Sequence, residues 1–230
     1  MSSNGQRVLA GSRRLQTLAQ HFRQQKPPQH KSHASFTKQA AVLVCLFKGD
    51  RGELRVILTK RASTLSSHSG EVALPGGKVD EGDADYVDTA LREAKEEIGL
   101  DPSLVIVVML LEPLVTKEGV LVVPVVGVLS DKKSFSPTPN ASEVEAVFDV
   151  PLEMFLKNEN RREEEKERKG EKYLLHFFDF EADNKKFVIW AFTAAILIKA
   201  ASEVYQRPPA FLERRPSFWS VTAVKRPIMP

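Results

Sequence analysis

Apolar residues come in short runs separated by turn-forming residues, with one change of period in the middle of the chain. Residues 40–47 and 54–58 are continuous apolar runs on either side of Lys-Gly-Asp-Arg-Gly, a pattern that predicts a hairpin turning through Gly49 and Gly52. Between residues 85 and 99 the repeat becomes helical. Val87, Ala90, Leu91, Ala94 and Ile98 share one face, Asp85 can cap the start with Asp88 behind it, and Gly99 followed by Pro102 supplies a stop. The expected helix is about 13 residues long. Residues 105–111 and 120–129 read as buried strands turning through Lys117-Glu118-Gly119, and Pro124 in the second argues for an edge position or a bulge. Residues 143–148 alternate as a half-buried strand does. Pro151 suits the first position of a helix over 151–156, and 157–172 is a mixed-sign charge run that solvation accounts for. Residues 173–180 and 187–189 read as strands meeting through Ala182-Asp183-Asn184. Over 190–205, Ala191, Ala194, Ala195, Ile198 and Ala201 at helical spacing predict a helix packed on a sheet.

Composition bounds the class. A chain of 230 residues with 42% hydrophobic content suffices for one domain with a sizeable core. The longest apolar runs, 120–129 and 192–198, fall well short of the ~20 residues that span a bilayer, so no membrane partner is expected. Cys45, the single cysteine, lies inside an apolar run; it reads as a buried structural thiol in a reducing compartment, with the cytoplasm as the first reading. The net charge is +3, but residues 1–49 hold eight Lys or Arg and no acid, so the basic excess belongs to the leading segment. No stripe of Lys and Arg interleaved with aromatics appears in the body, which argues against nucleic acid as a partner. The chain divides into a basic extension over 1–38, a domain over 39–206 and a proline-rich, irregular tail over 207–230. In the extension Ser12 can cap a short helix bearing Leu15, Leu18, Ala19 and Phe22, ended by Pro27-Pro28. This piece reads either as a helix docked on the domain or as a mitochondrial transit peptide, which is the alternative location.

The candidate chemistry concentrates on the central helix. At 100° per residue, Glu93, Glu96 and Glu97 fall within roughly 100° of one another, beside the apolar face. They stand in the last two turns, where the helix dipole disfavours each acid by about 0.3–1 kcal/mol, and Glu93 and Glu97 repel at i,i+4. Arg92 can reach Glu96 but cannot offset all of this charge, whereas a divalent cation would neutralise it. A merely solvated face more often places Lys or Arg at that end. Upstream, residues 59–69 carry Lys60, Arg61 and His68 among several hydroxyls, a loop suited to phosphate. Leu74-Pro75-Gly76-Gly77 gives a backbone able to approach a diphosphate closely, with successive N–H groups that can cradle anionic oxygens.

The clustering resembles the Nudix box, G-x5-E-x7-R-E-U-x-E-E-x-G-U with U aliphatic. Residues 92–100 match its second half, with Ala94 a small substitute for the aliphatic position. From Gly77 the acidic position is Asp83, not Glu, and one extra residue precedes Arg92. Such an insertion is similar to the coenzyme A pyrophosphatase branch of the family. The upstream signature of that branch, approximately L-L-T-x-R-S/A-x3-R-x3-G-x3-F-P-G-G, is matched by Leu58, Thr59, Arg61, Ala62, Gly70, Pro75, Gly76 and Gly77. Ser66 stands where Arg belongs, and Leu74 replaces Phe.

The resemblance implies a Nudix α/β/α sandwich, an α/β fold with a mixed β-sheet between helices. It implies a Mg²⁺-dependent hydrolase, Mn²⁺ being the alternative ion, that splits coenzyme A or an acyl-coenzyme A into 3′,5′-ADP and 4′-phosphopantetheine or its acyl form. Glu93, Glu96 and Glu97 would hold the metal, and Glu96, Glu97 and Arg92 would form the catalytic set. Lys60, Arg61, His68, Gly76 and Gly77 would bind the small-molecule substrate. The general base is Glu97 or a downstream acid, Glu143 or Glu145. The loss of an arginine at Ser66 leaves two readings: Lys60 and Arg61 suffice, or the substrate shifts to NADH, ADP-ribose or an oxidised nucleotide. A non-catalytic binding module would show broken box carboxylates, and all three are present.

Overall fold

Strand β1 (Gln39–Lys48) is apolar at consecutive positions because both of its faces are covered. Ala41, Leu43, Cys45 and Phe47 share a core with Ala90, Ala94 and Ile98 of helix α1 (Tyr86–Ile98). Val44 and Leu46, pointing the other way, share one with Ala194, Ile198 and Ala201 of helix α2 (Ala191–Tyr205). The structure is a computed structural model that describes residues 36–224; the helix expected around Leu15 lies outside the described residues.

Around β1 the sheet runs β3 (Val72–Ala73), β2 (Leu54–Arg61), β1, β7 (Leu121–Leu129), β5 (Val105–Leu110). Three further strands attach to it: β4 (Gly76–Lys78) to β1, β6 (Leu114–Val115) to β7, and β8 (Val144–Pro151) to β2. The β1–β7 pairing is parallel and the others are antiparallel. The mixed sheet between two helices is the architecture expected from the sequence.

Helix α1 forms where its local signals place it. Asp85 accepts from the N–H groups of Val87 and Asp88 at 2.8 and 3.0 Å, and Gly99 at φ 71° closes the far end. Ala90, Ala94 and Ile98 are fully buried against the sheet, and Ile98 alone contributes roughly 2–3 kcal/mol of burial. Cys45 is a core residue whose thiol is pushed up to about 12 by burial, far from any reactive range.

Four expectations need correction. Strand β7 is central, not an edge, and is tolerated with Pro124 because the neighbouring ladder is broken there: β5 pairs as far as Val125 and β6 resumes at Val122. The Pro124 carbonyl accepts from Leu111 across that gap, so the missing N–H faces a place where no strand needs it. The turn at Lys117-Glu118-Gly119 joins β6, not β5, to β7. The segment after Pro151 is a 3₁₀ turn over Leu152–Leu156, not an α-helix. The charge run holds strand β9 (Arg161–Arg168), paired with β10 (Glu171–Ala182), which in turn pairs with β11 (Lys185–Trp190) in a separate three-stranded sheet. Lys169 and Gly170, at φ 53° and 80°, make a tight turn that suits a hairpin. Its arginines cover aromatics: Arg161 lies 4.2 Å from the Phe211 ring centre, Arg162 4.2 Å from Phe177 and Arg168 4.4 Å from Phe218.

The second sheet also feeds the core, through fully buried Phe178 and Ile189, before the chain turns into α2. Between α2 and residue 224 the chain is irregular apart from single turns, yet it is tied down. Leu174 donates to the Arg214 carbonyl at 2.9 Å, and Trp219 meets Phe192 edge to face.

Candidate active site

Helix geometry brings Arg92 and three carboxylates to one edge of α1, and Arg92 is the hub. Its Nε and Nη2 donate to the two Asp83 oxygens at 2.9 and 3.0 Å, a bidentate pair. Nη1 donates to Glu93 and Glu96 at 3.1 Å each, and Nη2 also reaches the Lys78 carbonyl at 3.0 Å. The Asp83 carboxylate is 5% exposed and accepts in addition from Thr89 Oγ1 and the Asp80 N–H. The role of Asp83, left open by the sequence, is therefore to anchor Arg92 and clamp the loop before α1 onto the helix. The extra residue between Gly77 and Arg92 lies in that stretch, and the arginine is still held.

The Arg92 guanidinium holds the Asp83 carboxyl well below the usual carboxylate range. An acid with a depressed folded-state pKa stabilises the fold above its unfolded value, about 3.9, and loses that contribution as pH falls toward the folded one. Asp83→Asn should accordingly cost about 2 kcal/mol at pH 7, and its gap to wild type in urea unfolding should narrow at pH 3. A gap that stays constant between the two pH values would show that the ion pair contributes nothing.

Glu97 sits deeper. It is 5% exposed, and its Oε2 accepts from the Gly76 N–H at 3.2 Å. Burial pushes its acid up to about 7, with Glu93 and Glu143 adding like-charge repulsion and the Gly76 N–H and Arg61 opposing it. Glu93 is also raised, chiefly by burial. The two glycines make this crowding possible. A Cβ on Gly77 would lie 2.4 Å from the Glu93 carboxylate, and one on Gly76 would lie 2.4 Å from the Ala41 carbonyl. The expected open cradle of N–H groups is instead strand β4, paired to β1, with the Gly76 N–H already engaged by Glu97.

Of the cationic residues, Arg61 and His68 line one cleft with Gly76, and Lys60 lies outside it. Arg61, at the end of β2, bears electrostatically on Glu97, and its Nε is buried without a hydrogen-bond partner among the described residues. Lys60 pairs with Glu145 at 2.7 Å. His68 is exposed and meets Glu71 at 2.9 Å. Of the two downstream acids, Glu143 is the one brought toward Glu97: its carbonyl accepts from the Ala62 N–H at 2.8 Å, next to Arg61.

A cleft of about 390 Å³ opens beside this cluster, lined by Arg61, Leu74, Gly76, Trp190, Phe192 and Ile196 among others. Sequence reasoning placed Trp190 and Phe192 in a packing helix and missed them as cleft walls. A signal was present: α2 starts with Trp190 at the cap position and no side-chain cap, where a Ser, Thr, Asp or Asn is usual. Ala191, at φ 47°, turns the strand sharply into the helix, and Thr193 Oγ1 fastens the first turn to the Val72 carbonyl at 3.2 Å.

A profile of the NUDIX domain matches residues 37–174. The chain is 64% identical over 181 residues to "Nudix hydrolase 15, mitochondrial" of Arabidopsis thaliana, covering 79% of this chain and 64% of that one, so it spans a little under two thirds of that relative. It is 55% identical over 236 residues to "Nudix hydrolase 22, chloroplastic" of the same plant, covering 90% and 78%. It is 37% identical over 182 residues to the peroxisomal coenzyme A diphosphatase NUDT7 of Mus musculus, covering 78% and 75%. The matched profile runs from before β1 into β10 and takes in Arg61, both glycines and every acid gathered around Arg92; with these relatives beside it, the chain belongs to the Nudix family.

Proposed function

We propose that the chain is a pyrophosphohydrolase that splits coenzyme A or an acyl-coenzyme A into 3′,5′-ADP and 4′-phosphopantetheine or its acyl form. The observation that carries this reading is the setting of Glu97. A buried carboxylate, raised to about 7 and crowded by Glu93 and Glu143, stands beside Gly76 and Arg61, which line a cleft. Such a group is unfavourable for folding and suited to moving a proton near neutral pH.

Among the described residues no three of His, Cys, Asp and Glu are grouped so that they could by themselves hold a metal ion. Mg²⁺ does not require such a grouping, since it keeps several waters and takes one or two carboxylates together with substrate phosphates. Glu93, Glu96 and Glu97 offer hard oxygens along one edge of α1, and the bare Gly77 leaves room for Glu93, so the set fits Mg²⁺ or Mn²⁺. When bound, the ion would neutralise diphosphate charge and acidify a water. The remaining work falls to side chains. Arg92 fixes Glu93 and Glu96, so it acts as a positioning residue. Arg61, which lines the cleft, supplies positive charge to a substrate phosphate. Glu97 or Glu143 accepts the proton of the attacking water at a carboxylate oxygen, and Glu145, engaged by Lys60, does not.

The name of the mouse relative supports coenzyme A as substrate. The second reading, NADH, ADP-ribose or an oxidised nucleotide, is favoured by Ser66, an exposed serine where the branch carries arginine. A Mg²⁺-supplemented panel of coenzyme A, acyl-coenzyme A, NADH and ADP-ribose, with products identified by mass, separates them. Fastest release of 3′,5′-ADP is expected; faster cleavage of NADH or ADP-ribose would move the assignment to the second reading, and no cleavage of any would remove both. For location, the first relative's name supports the mitochondrial alternative, while the other two are named chloroplastic and peroxisomal.

A further inference from the structure

The cleft does not end at Trp190. A second hollow, of about 230 Å³, shares Glu71, Val72 and Trp190 with it and is walled on the far side by Lys60, Ser69, Gly70 and Lys186. Two lysines from different strands, β2 and β11, therefore meet one wall away from the space beside Arg61. Their convergence depends on an irregularity in β2. In a regular strand Lys60 and Arg61 would point to opposite faces, but the register of β2 against β8 slips between them. A bulge of this kind re-aims a side chain, and here the two consecutive cations line adjoining hollows.

The charge balance of the hollow leaves room for an anion. Lys60 gives one of its three N–H donors to Glu145 at 2.7 Å. Among the described residues no carboxylate forms an ion pair with Lys186, although Glu181 stands opposite it in the β10–β11 ladder. Glu71, the one acidic wall residue, is turned to His68 Nδ1 at 2.9 Å. Trp190, stacked on Phe177 with ring centres 5.5 Å apart and planes 7° apart, stands as a fixed aromatic plate between the hollows.

We propose that this second hollow is a subsite for a phosphomonoester on the ribose of the substrate, with Lys60 and Lys186 as its cationic contacts. The inference rests on the pyrophosphohydrolase reading for the place of the diphosphate, at Arg61. A ribose that carries the diphosphate on its 5′ oxygen and a second phosphate on its 2′ or 3′ oxygen presents two anions on either side of one sugar, which suits two adjoining cationic hollows divided by an aromatic wall. Lysine suits such a dianion as a mobile point charge. Coenzyme A carries the extra phosphate at 3′ and NADPH at 2′, whereas dephospho-coenzyme A, NADH and ADP-ribose lack it.

The test compares kcat/KM of the full chain for coenzyme A against dephospho-coenzyme A, and for NADPH against NADH. Wild type is expected to favour the phosphorylated member of at least one pair by about tenfold, the worth of one charged hydrogen bond, and Lys186→Ala to remove most of that margin. A margin confined to the first pair assigns the 3′ position, and one confined to the second assigns the 2′ position. Lys185→Ala, on the opposite face of the same strand, is expected to leave the ratio unchanged. Equal rates within both pairs in wild type, or an unchanged ratio in Lys186→Ala, would overturn the subsite while leaving the pyrophosphohydrolase reading intact. If no substrate is cleaved, that reading fails by itself. Calorimetric binding of adenosine 3′,5′-bisphosphate and adenosine 2′,5′-bisphosphate against AMP still decides the subsite, which needs a tighter bisphosphate whose advantage is lost in Lys186→Ala.

Discussion

Glu97→Gln is expected to lower kcat by about a thousandfold or more while raising the melting temperature. Glutamine keeps the shape of the side chain, and its amide oxygen can still accept from the Gly76 N–H, so strand β4 stays seated on β1. What disappears is a buried charge facing Glu93 and Glu143, whose removal relieves repulsion in the folded state. Proton transfer and any hold on a cation disappear with it. The two readouts move in opposite directions, which separates this outcome from damage to the fold. Wild-type turnover in the variant would refute the assignment of the site, and a lowered melting temperature would refute the account of why Glu97 is crowded.

Gly76→Ala is expected to cost about 3 kcal/mol or more, the sum of overpacking and an unfavourable backbone region. Gly76 has φ 153°, and an added Cβ would meet the Ala41 carbonyl at 2.4 Å and Val42 Cα at 2.6 Å. Both atoms belong to the backbone of the central strand and cannot swing aside. Gly70, at φ 70° with nothing within 4 Å of its would-be Cβ, provides the comparison: its alanine variant should lose only about 1–2 kcal/mol. Urea unfolding of both variants gives the difference. Equal losses would mean that the contact with β1 does not matter and that only the dihedral angle does.

Helix α1 was legible from sequence because every signal it needs is local: an aspartate cap, an apolar repeat and a glycine stop. Helix geometry then places Glu93, Glu96 and Glu97 on one edge before any tertiary contact is known. The parts that were not legible depend on contacts distant in the chain. Asp83 reaches Arg92 only because of how the loop between them folds, and spacing does not reveal that. Gly76 and Gly77 suggested a cradle for substrate, but the Glu93 carboxylate fills the space at Gly77, the β1 backbone fills that at Gly76, and Glu97 takes the Gly76 N–H. Strand β9 carries no apolar alternation, since its partner β10 supplies the pairing and three nearby aromatic rings supply the packing for its arginines. Glu143, in the turn before β8, bears on Glu97 while Glu145, inside β8, pairs with Lys60, a difference between two acids of the same parity that alternation does not resolve.

The second sheet leads directly into α2, and the cleft walls it delivers, from Lys186 to Ile196, lie beyond residue 174, where the family profile stops. The acids gathered around Arg92 and most of the far cleft wall are thus written on successive stretches of one chain. Under the proposed function, substitutions in the later stretch would alter which molecule fits the cleft while leaving the acids of the earlier one in place.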